Sequence, residues 1–144
     1  MPFRALQSFL TVADAIASRL RARAAMAADA GGESLDLTPD KLWSREDQAA
    51  AESFASARIL VEPTTPTFRA LVSSADELNY RHQLWAKLAR QARERQADDG
   101  SPELTTMNPE DIFDPKDRLA LEAYEGARAA VLGQVPLPME DAHA

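Results

Sequence analysis

The stretch SADELNYRHQLWAKLARQARERQ, residues 74–96, decides the fold. Ser74 and Glu77 stand at capping-box spacing, so a hydroxyl and a carboxylate are available for the orphan amides of a helix start. From there Leu78, Trp85, Leu88 and Ala92 recur on one helical face, and Tyr80 and Leu84 widen it. The stretch ends among charges, with Arg90, Arg93 and Arg95 interleaved with Glu94 and followed by Asp98, Asp99 and Gly100, a solvated terminus and a polar loop. Residues 74–96 are therefore predicted to be a helix.

Upstream, Pro63 and Pro66 each lack an amide donor and disfavour helical geometry in the residue before them, so residues 63–73 are expected to be an extended, proline-rich connector. The helix before it, residues 44–62, starts at Ser44, where Ser-Arg-Glu-Asp offers a side-chain cap and acids for the positive end of the dipole. Ala50, Phe54, Ala57 and Val61 give it one apolar face. An amino-terminal helix over residues 1–30 carries Phe3, Leu6, Leu10, Ala13, Ile16 and Leu20 at helical spacing and stops at Gly31 and Gly32. Its arginines Arg4, Arg19, Arg21 and Arg23 imitate a targeting peptide, but Asp14 interrupts the apolar run and favours an ordinary amphipathic helix.

Downstream, Asp114 and Pro115 open a helix over residues 114–133, with Leu119, Ala123, Ala127, Ala130 and Val131 as its apolar stripe and Gly133 and Pro136 as its stop. Strand signals are nearly absent. The expectation is one all-α domain over residues 1–144. It should be an elongated bundle of about four main helices plus short ones, without internal repeat. Helices of 20 to 25 residues reach roughly 30 to 37 Å, against a radius of gyration of roughly 14 to 15 Å for a compact chain of this size.

Composition narrows the function. The 144 residues are 45% hydrophobic and carry a formal charge of −7, which disfavours nucleic acid or an anionic membrane as partner. No cysteine is present, so disulfides, thiolate metal sites and a cysteine nucleophile are excluded, and the cytoplasm is the expected compartment. The two histidines are His82 and His143. Glu140 and His143 have the Glu-x-x-His spacing of di-iron bundles, but a single copy after two prolines makes no site. His82 beside Asp76 or Glu77 offers an enzymatic alternative, a general base near neutral pH. No phosphate loop or nucleophile elbow occurs, so no catalytic, cofactor-binding or metal residue is assigned. What stands out instead is a set of aromatic and arginine anchors of the kind that dominate interfaces: Phe68, Arg69, Tyr80, His82, Trp85, Phe113 and Arg118.

Two stretches carry a family resemblance. The run Ala49-Ala50-Ala51-Glu52 through Arg58, then Thr64-Thr65-Pro66-Thr67-Phe68-Arg69 and Leu84-Trp85-Ala86-Lys87-Leu88, resembles the central part of the γ subunits of soluble methane monooxygenase hydroxylases, allowing a one-residue gap at Thr67. Ile112-Phe113-Asp114, Arg118-Leu119, Glu125, Arg128 and Pro136-Leu137-Pro138-Met139-Glu140 resemble their carboxy-terminal helix and the segment after it. The resemblance implies an all-helical, non-catalytic accessory subunit with no cofactor of its own, packed on α and β subunits of a soluble di-iron hydrocarbon monooxygenase. The iron would lie in α, and a reductase and a regulatory protein would complete this NADH- and O2-dependent oxidoreductase complex. The competing expectation is a helical structural adaptor in an unrelated assembly, such as a virion or a secretion machine.

Overall fold

The computed structural model describes residues 3–99 and 104–134. Four long helices form the bundle: α1 (Phe3–Asp29), α3 (Arg45–Ile59), α4 (Pro66–Asp99) and α6 (Pro115–Gln134). Between them lie two three-residue strands, β1 (Leu35–Leu37) and β2 (Thr105–Met107), and two single-turn helices, α2 (Pro39–Leu42) and α5 (Pro109–Ile112). The all-α expectation holds, with α4 alone, at 34 residues, reaching about 50 Å. The strands pair antiparallel, Leu35 with Met107, Asp36 with Thr106 and Leu37 with Thr105, an element hidden in the sequence because three residues are too few to show alternation.

The chain is an internal repeat, which corrects the expectation of none. The order helix, strand, short helix, helix occurs twice. From Lys41 to Val61 and from Asp111 to Val131, the pattern of buried, half-buried and exposed residues is the same at every position. The long helices match as well: Arg19 on α1 pairs with Asp47 on α3 at 2.7 Å, as Arg81 on α4 pairs with Asp117 on α6 at 2.7 Å. Asp14 on α1 holds Arg128 on α6, as Asp76 on α4 holds Arg58 on α3. The strand register is symmetric about the Asp36–Thr106 pair, which therefore marks an approximate two-fold axis. Identity is sparse, with Pro39 and Pro109, Asp47 and Asp117, Glu52 and Glu122, and Arg58 and Arg128 among the coincident pairs. Matching positions lie 70 apart in the strands and shorter helices but 62 apart in α1 and α4, so no single offset aligns both.

The halves are interlocked. The short helix α2 packs on α4 of the other half, and α5 packs on α1. The main apolar cluster mixes Phe9, Ile16 and Leu20 of α1 with Phe54 of α3, Leu71 and Leu78 of α4, and Tyr124 and Val131 of α6. A second cluster beneath the sheet joins Leu37, Leu42, Trp85, Ala89, Met107 and Ile112.

Helix boundaries follow their caps. Ser44 and Asp47 form a full capping box on α3, and Asp114 and Asp117 exchange the equivalent bonds on α6, as the sequence predicts. The connector is shorter than the expected 63–73, because Thr65 caps α4: its Oγ1 accepts from the Phe68 amide and Pro66 takes the first helical position. Ser74 therefore lies inside the helix and bonds back to the Leu71 carbonyl instead of capping. The buried stripe of α6 is also corrected to Ala120, Leu121, Tyr124 and Val131, while Leu119, Ala123 and Ala130 face outward.

Candidate functional site

The densest group of polar side chains sits where α1, α3 and α4 meet. Arg23 of α1 is only 5% exposed. Its Nη1 lies 3.1 Å from His82 Nδ1, its Nη2 lies 3.4 Å from Asp47 Oδ1, and its guanidinium stacks 4.5 Å from the centre of the Trp85 ring. Arginine only donates, so His82 Nδ1 accepts, and its Nε2–H donates to the Asp47 carbonyl oxygen at 3.0 Å. The imidazole is thus held neutral in one tautomer, with Trp43 against its face at 4.4 Å.

Burial and the neighbouring charges together set the ionisation here, reinforcing each other at one group and opposing at the next. Burial, with the Arg23 charge adding to it, pushes His82 down to about 4 against the pull of the Asp47 carbonyl. Burial also lowers the Arg23 guanidinium to about 10, which leaves it protonated at neutral pH. For Asp47, burial raises the carboxyl, but the Ser44 amide, the Arg19 hydrogen bond and the charges of Arg23 and Arg19 outweigh it and hold it below the usual range. The place related to it by the internal axis holds no such group. Leu20 and Trp85 stand where His82 and Arg23 would find their counterparts, so Arg81 is the cation that pairs directly with Asp117, and Arg23 acts on it only at longer range.

This geometry corrects the expectation that His82 and Trp85 are interface anchors. Both are buried within the chain, at 0% and 4% exposure, so neither lies on a free face for a partner. Both ring nitrogens of His82 are occupied, and the acids that would orient it as a base are elsewhere: Asp76 binds Arg58, and Glu77 faces solvent. A general base at His82 is therefore not assembled. Of the other anchors, Phe68 is half-buried against the main cluster, and Phe113 is half-buried beneath the Arg118 guanidinium at 5.4 Å. Arg69, Tyr80 and Arg118 are exposed. The structure does not bring the seven together into one patch.

Sequence reasoning misses Arg23, Asp47, Ile59 and Leu60. Arg23 sits in the expected apolar helix, and its position on the Leu20 side of that helix is the available signal. Ile59 and Leu60 end α3 at 81% and 80% exposure. An open cleft of about 860 Å³ runs between α1 and α6, but its charges are already paired, Asp14 with Arg128 and Arg21 with Glu125 at 2.8 Å. Tyr124 donates to Asp14 at 2.7 Å, and its phenol is raised far above its ordinary range by burial and by that carboxylate. Among the described residues, no three or more His, Cys, Asp or Glu side chains stand in a metal-holding group. Glu140 and His143 lie outside the described residues. No described helix is long and apolar enough to cross a membrane.

The fold defines a class, a duplicated helix–strand–helix bundle whose buried charges, Arg23, Asp47 and Asp117, are held in internal pairs. In comparison with known proteins, no family model matches the chain, no curated protein matches it, and no solved structure matches it.

Proposed function

We propose that the chain is a non-catalytic helical docking subunit that works by binding larger proteins. The observation that supports this is the side-by-side exposure of Ile59 and Leu60 at the end of α3, at 81% and 80%, while the ionisable groups nearby hold the fold. Adjacent large apolar side chains left in water favour burial against a partner. Their counterparts in the second half are Ala129 and Ala130, so the repeat does not require them.

The partners in this reading are the α and β subunits of a soluble di-iron hydrocarbon monooxygenase in the cytoplasm, with iron in α and none held by this chain. The resemblance of residues 49–58, 64–69 and 84–88 supports that choice. Binding folded partners but not unfolded ones would stabilise the assembly by mass action. The test is a pull-down of the tagged chain from its native host with iron analysis. Two larger subunits with iron are expected, and the double variant Ile59→Asp, Leu60→Asp should lose them while keeping its helicity. Recovery of the chain alone would overturn the docking reading. A second reading, a structural adaptor in an unrelated assembly, is favoured by the internal two-fold, which suits a site of matching symmetry. Large partners recovered without iron would select it.

A further inference from the structure

The Arg23–His82–Asp47 group lies where α1 loses its anchorage. Arg23 is the last buried residue of that helix: every position from 24 to 30 is half-buried or exposed, with Met26 and Ala27 resting on the apolar cluster beneath the sheet. Gly31 and Gly32 follow at φ values of 62° and 88°, a left-handed conformation that glycine adopts without steric cost, and open space surrounds both. An open cleft of about 380 Å³, lined by Ala22, Ala25, Met26, Asp29 and Leu35, runs between this helix end and β1. The end of α1 thus hangs from one buried side chain and has a pair of glycines behind it.

That side chain is held by a group that changes charge. Neutral His82 offers Arg23 the lone pair of Nδ1, but the protonated ring carries an N–H there, so two donors and two cations would face each other at 3.1 Å. His82 is buried in the middle of α4 with Nε2–H on the Asp47 carbonyl, whereas the Arg23 guanidinium, on a long flexible stem, regains water if the end of α1 lifts. Of the charges facing the ring, Arg23 and Arg19 from α1 oppose its protonation and Asp47 from α3 favours it, but the Asp47 carboxylate is already divided between those two arginines. Arg81, beside His82 on α4, is bound to Asp114 and Asp117 at the start of α6, and Asp40 and Lys41 of α2 are exposed. We propose that residues 24–30 form an acid-released strap: a proton on His82 expels Arg23, and the strap swings about Gly31 and Gly32 to uncover Trp85 and the cluster beneath the sheet. With the strap closed the ring takes its proton only at about pH 4, and with the strap open near its ordinary 6.5. The closed form is therefore favoured fully above pH 6.5, and the open population rises by up to tenfold per unit as pH falls to 4, roughly 300-fold in all.

The chain has no cysteine, so Ala27→Cys places a single thiol on the packed side of the strap. Its labelling by a pyridyl disulfide, a reagent that works in acid, is measured on the full chain from pH 7.5 to 3.5 relative to the same chain in urea, with far-UV circular dichroism in parallel. The expected result is relative labelling that rises on the order of 100-fold between pH 6.5 and 4 while helicity is retained. Tryptophan emission should change over the same range, because Trp43 lies on the His82 ring and Trp85 beneath Arg23. His82→Leu in this background should abolish the rise, and Leu20 at the axis-related position shows that leucine suits such a place. Arg23→Met, which leaves no charge to expel, is an independent second variant and should also keep the strap closed. Labelling that ignores pH, or that rises equally in both variants, overturns the proposal. So does a rise that comes only with loss of helicity, since the whole bundle then opens at once.

Discussion

The carboxylates of Asp47 and Asp117 occupy the same position in two copies of one structural unit, yet they live in different surroundings. Each closes a capping box and each accepts from an arginine at 2.7 Å. Only Asp47 also pairs directly with a second, buried arginine, one of whose other N–H groups donates to a histidine. The backbone frame therefore needs an acid at this turn, whereas the Arg23–His82 pair, drawn from α1 and α4, extends it at Asp47, and Trp85 and Leu20 fill the axis-related place with apolar packing. A repeat in which one copy is simple shows which interactions the architecture requires.

Substitution at the two aspartates should widen the contrast most. Asp47→Ala leaves Arg23 charged and buried without its counter-ion and should cost about 3 to 5 kcal/mol in urea unfolding. Asp117→Ala strands only the half-buried Arg81, which keeps Asp114, and should cost about 1 to 3 kcal/mol. Equal losses would mean that the buried arginine adds nothing.

The next effect is one of pH. The folded-state value of His82, about 4, lies below its unfolded 6.5, so the unfolded chain takes up the proton first. The stability tied to this group is fully present above pH 6.5 and is lost as pH falls to 4, by about 3 kcal/mol in all. Replacing His82 with leucine, the residue at the matching position in α1, should flatten the stability profile in that window while leaving other acid-sensitive carboxylates to titrate below it.

Asp14 and Asp76 give a smaller contrast. Asp14→Ala leaves the buried Tyr124 hydroxyl without its acceptor and should cost about 1 to 3 kcal/mol. Asp76→Ala removes only a partly exposed pair with Arg58, and matching Phe54 has no hydroxyl to strand, so less than about 1 kcal/mol is expected. Smallest of all should be the exposed Arg21–Glu125 pair, whose removal by Glu125→Ala should change thermal unfolding by about 0 to 1 kcal/mol.

How much of this can be read from the residues depends on the range of the interaction involved. Caps are local, so Ser44 and Asp114 are legible three residues from their partners. The apolar face of α1 is legible for the same reason, since Leu6, Leu10, Ala13, Ile16 and Leu20 all turn inward. Thr65 is a cap hidden by two prolines that look like breakers, although Pro66 in the first turn breaks nothing. The burial of His82 is not legible, because its partners Arg23 and Asp47 lie 59 and 35 residues away. The repeat escapes notice because it preserves burial and pairing, and neither is visible until the helices are placed. Leu119 misleads for α6, since an apolar residue beside a cap looks like core in a single helix but faces out once α4 is packed.

The exchange of short helices between the halves also has a kinetic consequence. Because α2 rests on α4 and α5 rests on α1, neither half holds its own complement, and ties such as Asp14–Arg128 join residues 114 apart in sequence. Chain entropy must be spent closing those loops before the two apolar clusters reward it. The bundle should therefore fold more slowly than helical proteins of local topology, and a ribosome must release α6 before α1 and α4 have all their packing partners.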